Sequence, residues 1–321
     1  MHEDYGVTEY PGGVLAIDSG YVRENMAACY LVEAGTEVAI IETGTNNSTP
    51  RLVDTLQNRG WDVEQVKYVI VTHVHLDHAG GAGSLMHLLP SAKLLVHPYG
   101  ARHMIDPARL EAGSRVVYGD ELFDRLYGKL VPVAEARTRA MQDGETVKLG
   151  SRRLRFIDTP GHARHHFCVH DSLTNGWFTG DTFGLSYREF DTVNGAFMIP
   201  TTTPVQFDPV ALKASIVRLA ADKPDCMYLT HYGRVENVQQ LAGEMVEGVS
   251  ALAGFGEKYE DDPARSQKIE AAIKDWLMTR LREHGVTLSD DECLQILQAD
   301  ITLNTSGIEH WLDYRKKQAG T

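Results

Sequence analysis

The run Tyr68-Val-Ile-Val-Thr-His-Val-His-Leu-Asp-His-Ala-Gly-Gly constrains this chain more than any other stretch. It sets three histidines and an aspartate within six positions, directly behind a β-rich apolar segment. Tyr68 to Thr72 has the length and residue types of a strand buried on both faces, as in a parallel sheet, so the polar cluster falls at the strand's carboxyl end. His73 and His75, two residues apart, can turn their imidazoles to one side of an extended or loop backbone and grip one ion. Asp77 and His78 follow within reach of a second. Gly80, Gly81 and Gly83 permit a tight turn, and Ser84 to Leu89 has the apolar spacing of a helix returning along the sheet. Strand, ligand loop and helix make one βα unit.

The segment Thr72-His73-Val-His75-Leu-Asp77-His78-Ala-Gly80-Gly81 resembles the H-x-H-x-D-H signature of the metallo-β-lactamase superfamily, and three downstream segments extend the resemblance in the family's order. Thr159-Pro160-Gly161-His162, behind the strand-like Leu154 to Ile157, resembles its T-P-G-H segment. Phe178-Thr179-Gly180-Asp181-Thr182 resembles the G-D segment, and Tyr228-Leu229-Thr230-His231 the final histidine segment. A lone histidine or aspartate near a strand end is ordinarily a surface or capped-loop residue; seven matches in one order reverse that weighting. The resemblance implies an αββα sandwich, a four-layer α/β fold, with His73, His75 and His162 on a first ion, Asp77, His78 and His231 on a second, and Asp181 bridging both. Glu42-Thr43-Gly44 stands where the family usually shows D-T-G, keeping the charge on a longer arm.

Mixed imidazole and carboxylate ligation without thiolates suits two divalent ions, with zinc the first expectation and iron or manganese the others. Two such ions roughly 3.5–4 Å apart lower the pKa of a shared water from about 16 toward about 7, making a bridging hydroxide the expected nucleophile. The same ions polarise a carbonyl or phosphoryl oxygen, leaving Asp77 and Asp181 as the catalytic carboxylates and hydrolysis as the reaction class. The expected function is metal-dependent hydrolysis of a small ester, thioester or lactone. One alternative is a mononuclear iron, persulfide dioxygenase-like oxidoreductase, and another a non-catalytic, metal-containing protein that binds a partner through its tail. Flavodiiron proteins typically have glutamate where this chain has His75.

The formal net charge of −13 and the lack of any basic cluster longer than Arg152-Arg153 or Arg315-Lys316-Lys317 argue against nucleic acid as a partner. The four cysteines, Cys29, Cys168, Cys226 and Cys293, are scattered without a C-x-x-C and read as reduced core residues. The acidic start Met1-His-Glu-Asp-Tyr lacks the features of a signal peptide, and no apolar stretch approaches the ~20 residues needed to span a bilayer. A cytoplasmic protein acting on a small molecule, with no membrane partner and with room for a homodimer, is expected.

The chain divides by pattern into a catalytic domain at 1–237 and a helical extension at 238–321. Strands are predicted at Val14 to Ile17, Ala28 to Glu33, Glu37 to Glu42, Leu154 to Ile157, Phe167 to His170, Trp177 to Thr179 and Met227 to Thr230. Helices are predicted at Pro50 to Asn58, Met104 to Arg109, Glu121 to Leu130 and Pro209 to Ala221. The tail adds Val235 to Gly254, Arg265 to His284, Ser289 to Gln298 and Ile308 to Lys317, with Ser289-Asp-Asp-Glu292 as a capping box. The connection Phe183 to Phe207 is too long for a simple link, and long loops of this kind carry function. Tyr187 and Arg188 are its candidate polar substrate contacts, and Phe197, Met198, Ile199 and Phe207 a candidate apolar lining. His165 and His166 are candidates for orienting ligands or touching substrate.

Overall fold

The computed structural model describes residues 5–202 and 204–319; Met1 to Asp4, Thr203 and the last two residues lie outside it. Two compact units divide the chain. The first is Met1–Asp158, His165–Gly180 and Pro224–Glu236; the second is Thr159–Arg164, Asp181–Lys223 and Asn237–Thr321. Segments 159–164 and 181–223, which precede the boundary drawn at residue 237, therefore belong with the C-terminal helices.

The first unit contains two sheets. In one, β1 (Val7–Tyr10), β2 (Val14–Asp18), β3 (Ala28–Ala34) and β4 (Glu37–Ile41) form an antiparallel meander, and β5 (Val66–Ile70), β6 (Lys93–Val96) and β7 (Thr138–Ala140) continue it in parallel. The other runs in the order β13-β12-β11-β10-β9-β8, from β8 (Thr146–Leu149), β9 (Arg152–Asp158), β10 (Phe167–Asp171), β11 (Gly176–Phe178) and β12 (Cys226–Leu229) to β13 (Gly233–Val235).

Alternation along the strands explains the apolar runs in the sequence. Tyr30, Ile41 and Ile70 point between the sheets, against Phe156, Phe167, Phe178 and Tyr228. Their neighbours Leu31, Ile40, Val69 and Val71 point to the opposite face, where Leu52 and Leu56 of α1 (Thr49–Asn58) and Leu85 and Met86 of the Ala82–Leu88 helix cover them. Both faces of β3, β4 and β5 are thus buried, so these strands read as continuous hydrophobic segments. Arg152 pins the sheets together: its Nη1 donates to Asp171 at 2.8 Å, and its Nη2 to the Glu33 carbonyl at 2.7 Å.

Between β6 and β7 the single predicted helix Met104 to Arg109 is two helices, Pro98–Ile105 and Ala108–Tyr118. Pro107 disfavours helical backbone at Asp106 and ends the first. Strands β1, β6, β7 and β13, all of three or four residues, had no expectation in the sequence.

The second unit is helical: Pro209–Ala221, Val238–Tyr259, Arg265–His284 and Asp290–Ala319. The last replaces the two helices predicted over its length. Polar Asp300 and Asn304 interrupt the apolar pattern but are buried with partners: Asp300 accepts from the Tyr187 hydroxyl at 3.0 Å, and Asn304 Nδ2 donates to the Pro200 carbonyl at 3.1 Å. The capping box is present, Glu292 N–H donating to Ser289 Oγ at 3.3 Å and Ser289 N–H to Glu292 Oε2 at 2.8 Å. Among the described residues no helix is long and apolar enough to cross a membrane. All four cysteines are buried free thiols.

Candidate metal centre

In the first unit, β5 ends at Ile70, and the next eight residues deliver His73, His75, Asp77 and His78, the last two on the short helix Leu76–Ala79. His231 lies just past the end of β12. Asp77, His78 and His231 each offer a ligand atom, and those atoms lie within 4.8 Å of one another. Asp77 Oδ2 is 3.4 Å from His231 Nε2 and 3.7 Å from His78 Nε2.

Proton bookkeeping shows what those atoms carry. His231 Nδ1 faces the Met26 carbonyl at 2.7 Å, and a carbonyl only accepts, so Nδ1 bears the hydrogen. His78 Nδ1 lies 3.1 Å from Glu42 Oε1 and donates to it. In the neutral ring both Nε2 atoms then carry lone pairs, and both point at a carboxylate oxygen. Three lone-pair donors converging in a site where both imidazoles are buried repel one another unless a cation joins them. The donor set therefore fits a divalent metal ion.

The neighbouring pair obeys the same logic. Thr72 donates its hydroxyl to Glu42 Oε1, so Thr72 Oγ1 accepts from His73 Nδ1 at 3.1 Å, and His73 Nε2 turns toward His75 Nδ1 at 2.9 Å. Glu42, buried to 1% exposure, also accepts from the Thr72 backbone N–H at 3.2 Å and the Thr230 hydroxyl at 3.3 Å. Its backbone sits at φ +65°, a conformation that side chains rarely adopt and that surrounding contacts must enforce. The longer arm of glutamate thus organises the ligand loop directly, which the sequence left open.

His166 stacks on His73 with centroids 4.8 Å apart, and His165 lies 6.2 Å from the same ring. Gly180, at φ +48°, is required here: a Cβ would come within 2.5 Å of both His166 Nε2 and Thr72 Oγ1.

The second unit holds His162 and Asp181. Thr201 donates its hydroxyl to the Asp181 carbonyl at 3.2 Å, and its oxygen accepts from His162 Nδ1 at 3.1 Å. His162 Nε2 therefore carries the lone pair, 3.4 Å from Asp181 Oδ2, repeating the imidazole–carboxylate confrontation of the first unit. Thr201 and the Met26 carbonyl were not identified from sequence. Thr201 sits in the run Thr201-Thr202-Thr203-Pro204, whose hydroxyls were the one available signal, and a carbonyl leaves none.

The expected substrate contacts are packed inside the second unit. Tyr187, Phe197, Met198, Ile199 and Phe207 are all buried, Phe207 against Trp311 and Phe197 against His284. Arg188 is partly exposed and folds back, donating to the Ser186 carbonyl at 2.8 Å and facing Asp191 at 3.3 Å.

The model of the metallo-beta-lactamase superfamily matches residues 22–231, well over half of the chain. The chain is 29% identical over 228 residues, 70% of its length and 79% of the relative's, to the metallo-beta-lactamase fold-containing protein ST1585 of Sulfurisphaera tokodaii. The crystal structure of ST1585 overlays with a TM-score of 0.60 at 28% identity, covering 73% of this chain and 85% of that one. A metallo-beta-lactamase family protein of Thermus thermophilus, TTHA1429, shares the fold at a TM-score of 0.67 and 19% identity, covering 95% of this chain and 94% of that one. Human acyl-coenzyme A thioesterase MBLAC2 is 28% identical over 173 residues, spanning 50% of this chain and 60% of the human protein.

Proposed function

This chain belongs to the metallo-beta-lactamase superfamily, and we propose on that footing that it is a metal-dependent hydrolase of a small ester, thioester or lactone. The observation that carries the reading is the convergence of Asp77 Oδ2, His78 Nε2 and His231 Nε2, with both imidazole Nδ1–H groups committed to fixed acceptors. In the superfamily's ligand order, His73, His75 and His162 would serve one divalent ion and Asp77, His78 and His231 a second, with Asp181 as a further ligand. Zinc is the first choice for such a donor set.

Bound there, the ions supply a water of near-neutral pKa and a Lewis acid for the substrate's carbonyl oxygen. The chain's own residues do the rest. Glu42 draws on the Nδ1–H of His78 and, through Thr72, on that of His73, which fixes both rings and raises their basicity as ligands. The Asp77 carboxylate, partly open to solvent, orients the attacking water and accepts hydrogen bonds from it. A thioesterase among the relatives supports an acyl substrate, and the net charge of −13 supports a small molecule over a polyanion.

Metal per chain, measured beside hydrolysis of a panel of thioesters, esters, lactones and phosphodiesters, tests the reading. Two zinc, iron or manganese ions with acyl hydrolysis is the expected result. One iron per chain, with oxygen uptake and no hydrolysis, overturns it in favour of a dioxygenase.

A further inference from the structure

Thr201 orients His162, and the peptide bonds on either side of Thr201 are held from about a hundred residues further along the chain. Asn304, buried to 3% exposure in the Asp290–Ala319 helix, donates from Nδ2 to the Pro200 carbonyl at 3.1 Å and accepts at Oδ1 from the Thr202 N–H at 2.7 Å. Those two groups belong to the peptide bonds before and after Thr201, so one side-chain amide grips the backbone of Thr201 on both sides. A carbonyl only accepts and an N–H only donates, so the partners also fix which end of the Asn304 amide is the oxygen. The buried Thr202 hydroxyl adds a third tie, donating to the Asn304 carbonyl at 2.9 Å.

The same helix holds the other limb of this loop. Asp300, one helical turn before Asn304, accepts from the Tyr187 hydroxyl, and Leu185 and Ile199 join the two limbs with backbone hydrogen bonds at 3.0 Å and 2.9 Å. Only the hold on Thr201 reaches a ligand candidate. The Thr201 hydroxyl donates to the Asp181 carbonyl and accepts from His162 Nδ1, so its direction decides which ring nitrogen of His162 bears the hydrogen. A Thr201 backbone able to turn would swing that hydroxyl off one partner or the other, at a cost that is high because Thr201 and His162 are both buried.

We propose that Asn304 is a positioning residue for the candidate metal centre: by gripping both peptide bonds of Thr201 it holds the hydroxyl that fixes His162 as the Nδ1–H tautomer, with the Nε2 lone pair left for a metal ion. The proposal rests on the metal-dependent reading. It assigns a role in zinc binding to a helix that lies beyond residues 22–231, the span matched by the family.

The test is a double-mutant cycle on zinc affinity, measured with the full chain against a chromophoric chelator for wild type, Asn304→Ala, Thr201→Val and the double variant. Expected are losses of about fivefold for Asn304→Ala, about 10-fold for Thr201→Val and still about 10-fold for the pair, because Asn304 acts through the Thr201 hydroxyl. Wild-type affinity in Asn304→Ala, or losses that multiply to about 50-fold in the pair, overturns the proposal. Tyr187→Phe, which removes the other tie of the same helix, is the structural control: it should lower the unfolding midpoint and leave zinc affinity unchanged, and a loss equal to that of Asn304→Ala overturns the proposal. If Asn304→Ala does not fold, hydrogen exchange on the wild type decides, with saturating zinc expected to slow the Thr202 amide more than amides of the Arg265–His284 helix; equal protection overturns the proposal. A wild-type chain that takes up no zinc overturns the metal reading and this proposal with it, whereas a wild type that loads zinc without coupling to Asn304 overturns this proposal alone.

Discussion

His78 in the first unit and His162 in the second reach the same tautomer by different means. His78 donates to a buried carboxylate, Glu42, which also gathers Thr72 and Thr230; His162 donates to a neutral hydroxyl, Thr201, which in turn donates its own hydrogen bond to a backbone carbonyl. Both arrangements aim Nε2 at an aspartate. They differ in what fails when the acceptor goes. Glu42 holds four donors and Thr201 one, so the first unit concentrates its order in a single charge and the second spreads it over local contacts.

Removing that charge is therefore the strongest way to break the comparison. Glu42→Ala leaves the His78 Nδ1–H, two threonine hydroxyls and a backbone N–H without their acceptor in a buried site. It should weaken metal binding by about 100-fold and lower stability by roughly 3 kcal/mol. Metal titration and denaturant unfolding of the apo chain read the two effects separately. Wild-type metal affinity in the variant would refute a central role for Glu42.

Much of this was legible because metal ligation demands particular residue types at close spacing: His73, His75, Asp77 and His78 announce themselves in six positions. The strands behind them were legible because both faces are buried. Glu42 was visible only as a change from aspartate, since its many partners come from residues 30 to 188 positions away. The exposed edge strand Val7–Tyr10 lacks an apolar signature, and the gap expected between Gln298 and Ile308 is helical because its polar Asp300 and Asn304 find partners in Tyr187 and Thr202 of the second unit. Tyr187, Phe197, Met198 and Phe207 are buried in the second unit, and apolar residues in a long loop do not declare from sequence whether they face a ligand or a core.

The neutral counterpart gives the second measurement. Thr201→Val keeps the side chain's shape and removes one hydroxyl, leaving His162 Nδ1–H without that acceptor and the Asp181 carbonyl without that donor. The expected loss is about 10-fold in metal affinity and about 1 kcal/mol in stability, well below that of Glu42→Ala. An equal or larger loss would show that the two shells carry comparable weight and that charge is not what distinguishes them.

Glu37 supplies the exposed limit of the same comparison, a carboxylate on β4 five residues before Glu42 with solvent still beside it. Its Oε1 lies 2.6 Å from Lys67 Nζ and its Oε2 accepts from the Gly150 N–H at 2.7 Å; the bond from Lys67 first, and that from Gly150 second, lower its pKa below the usual 4.5. A carboxylate with a depressed pKa in the folded state adds stability above its unfolded value, and that stability fades as pH falls from about 4.5 through the folded value. With both side chains about one-third exposed, the contribution is screened to under about 1 kcal/mol. Glu37→Gln should lower the unfolding midpoint slightly at pH 7, and its gap to wild type should narrow as pH falls below about 4.5. A gap of the same size at every pH down to acid unfolding would mean that packing, and not the charge of Glu37, supplies the difference.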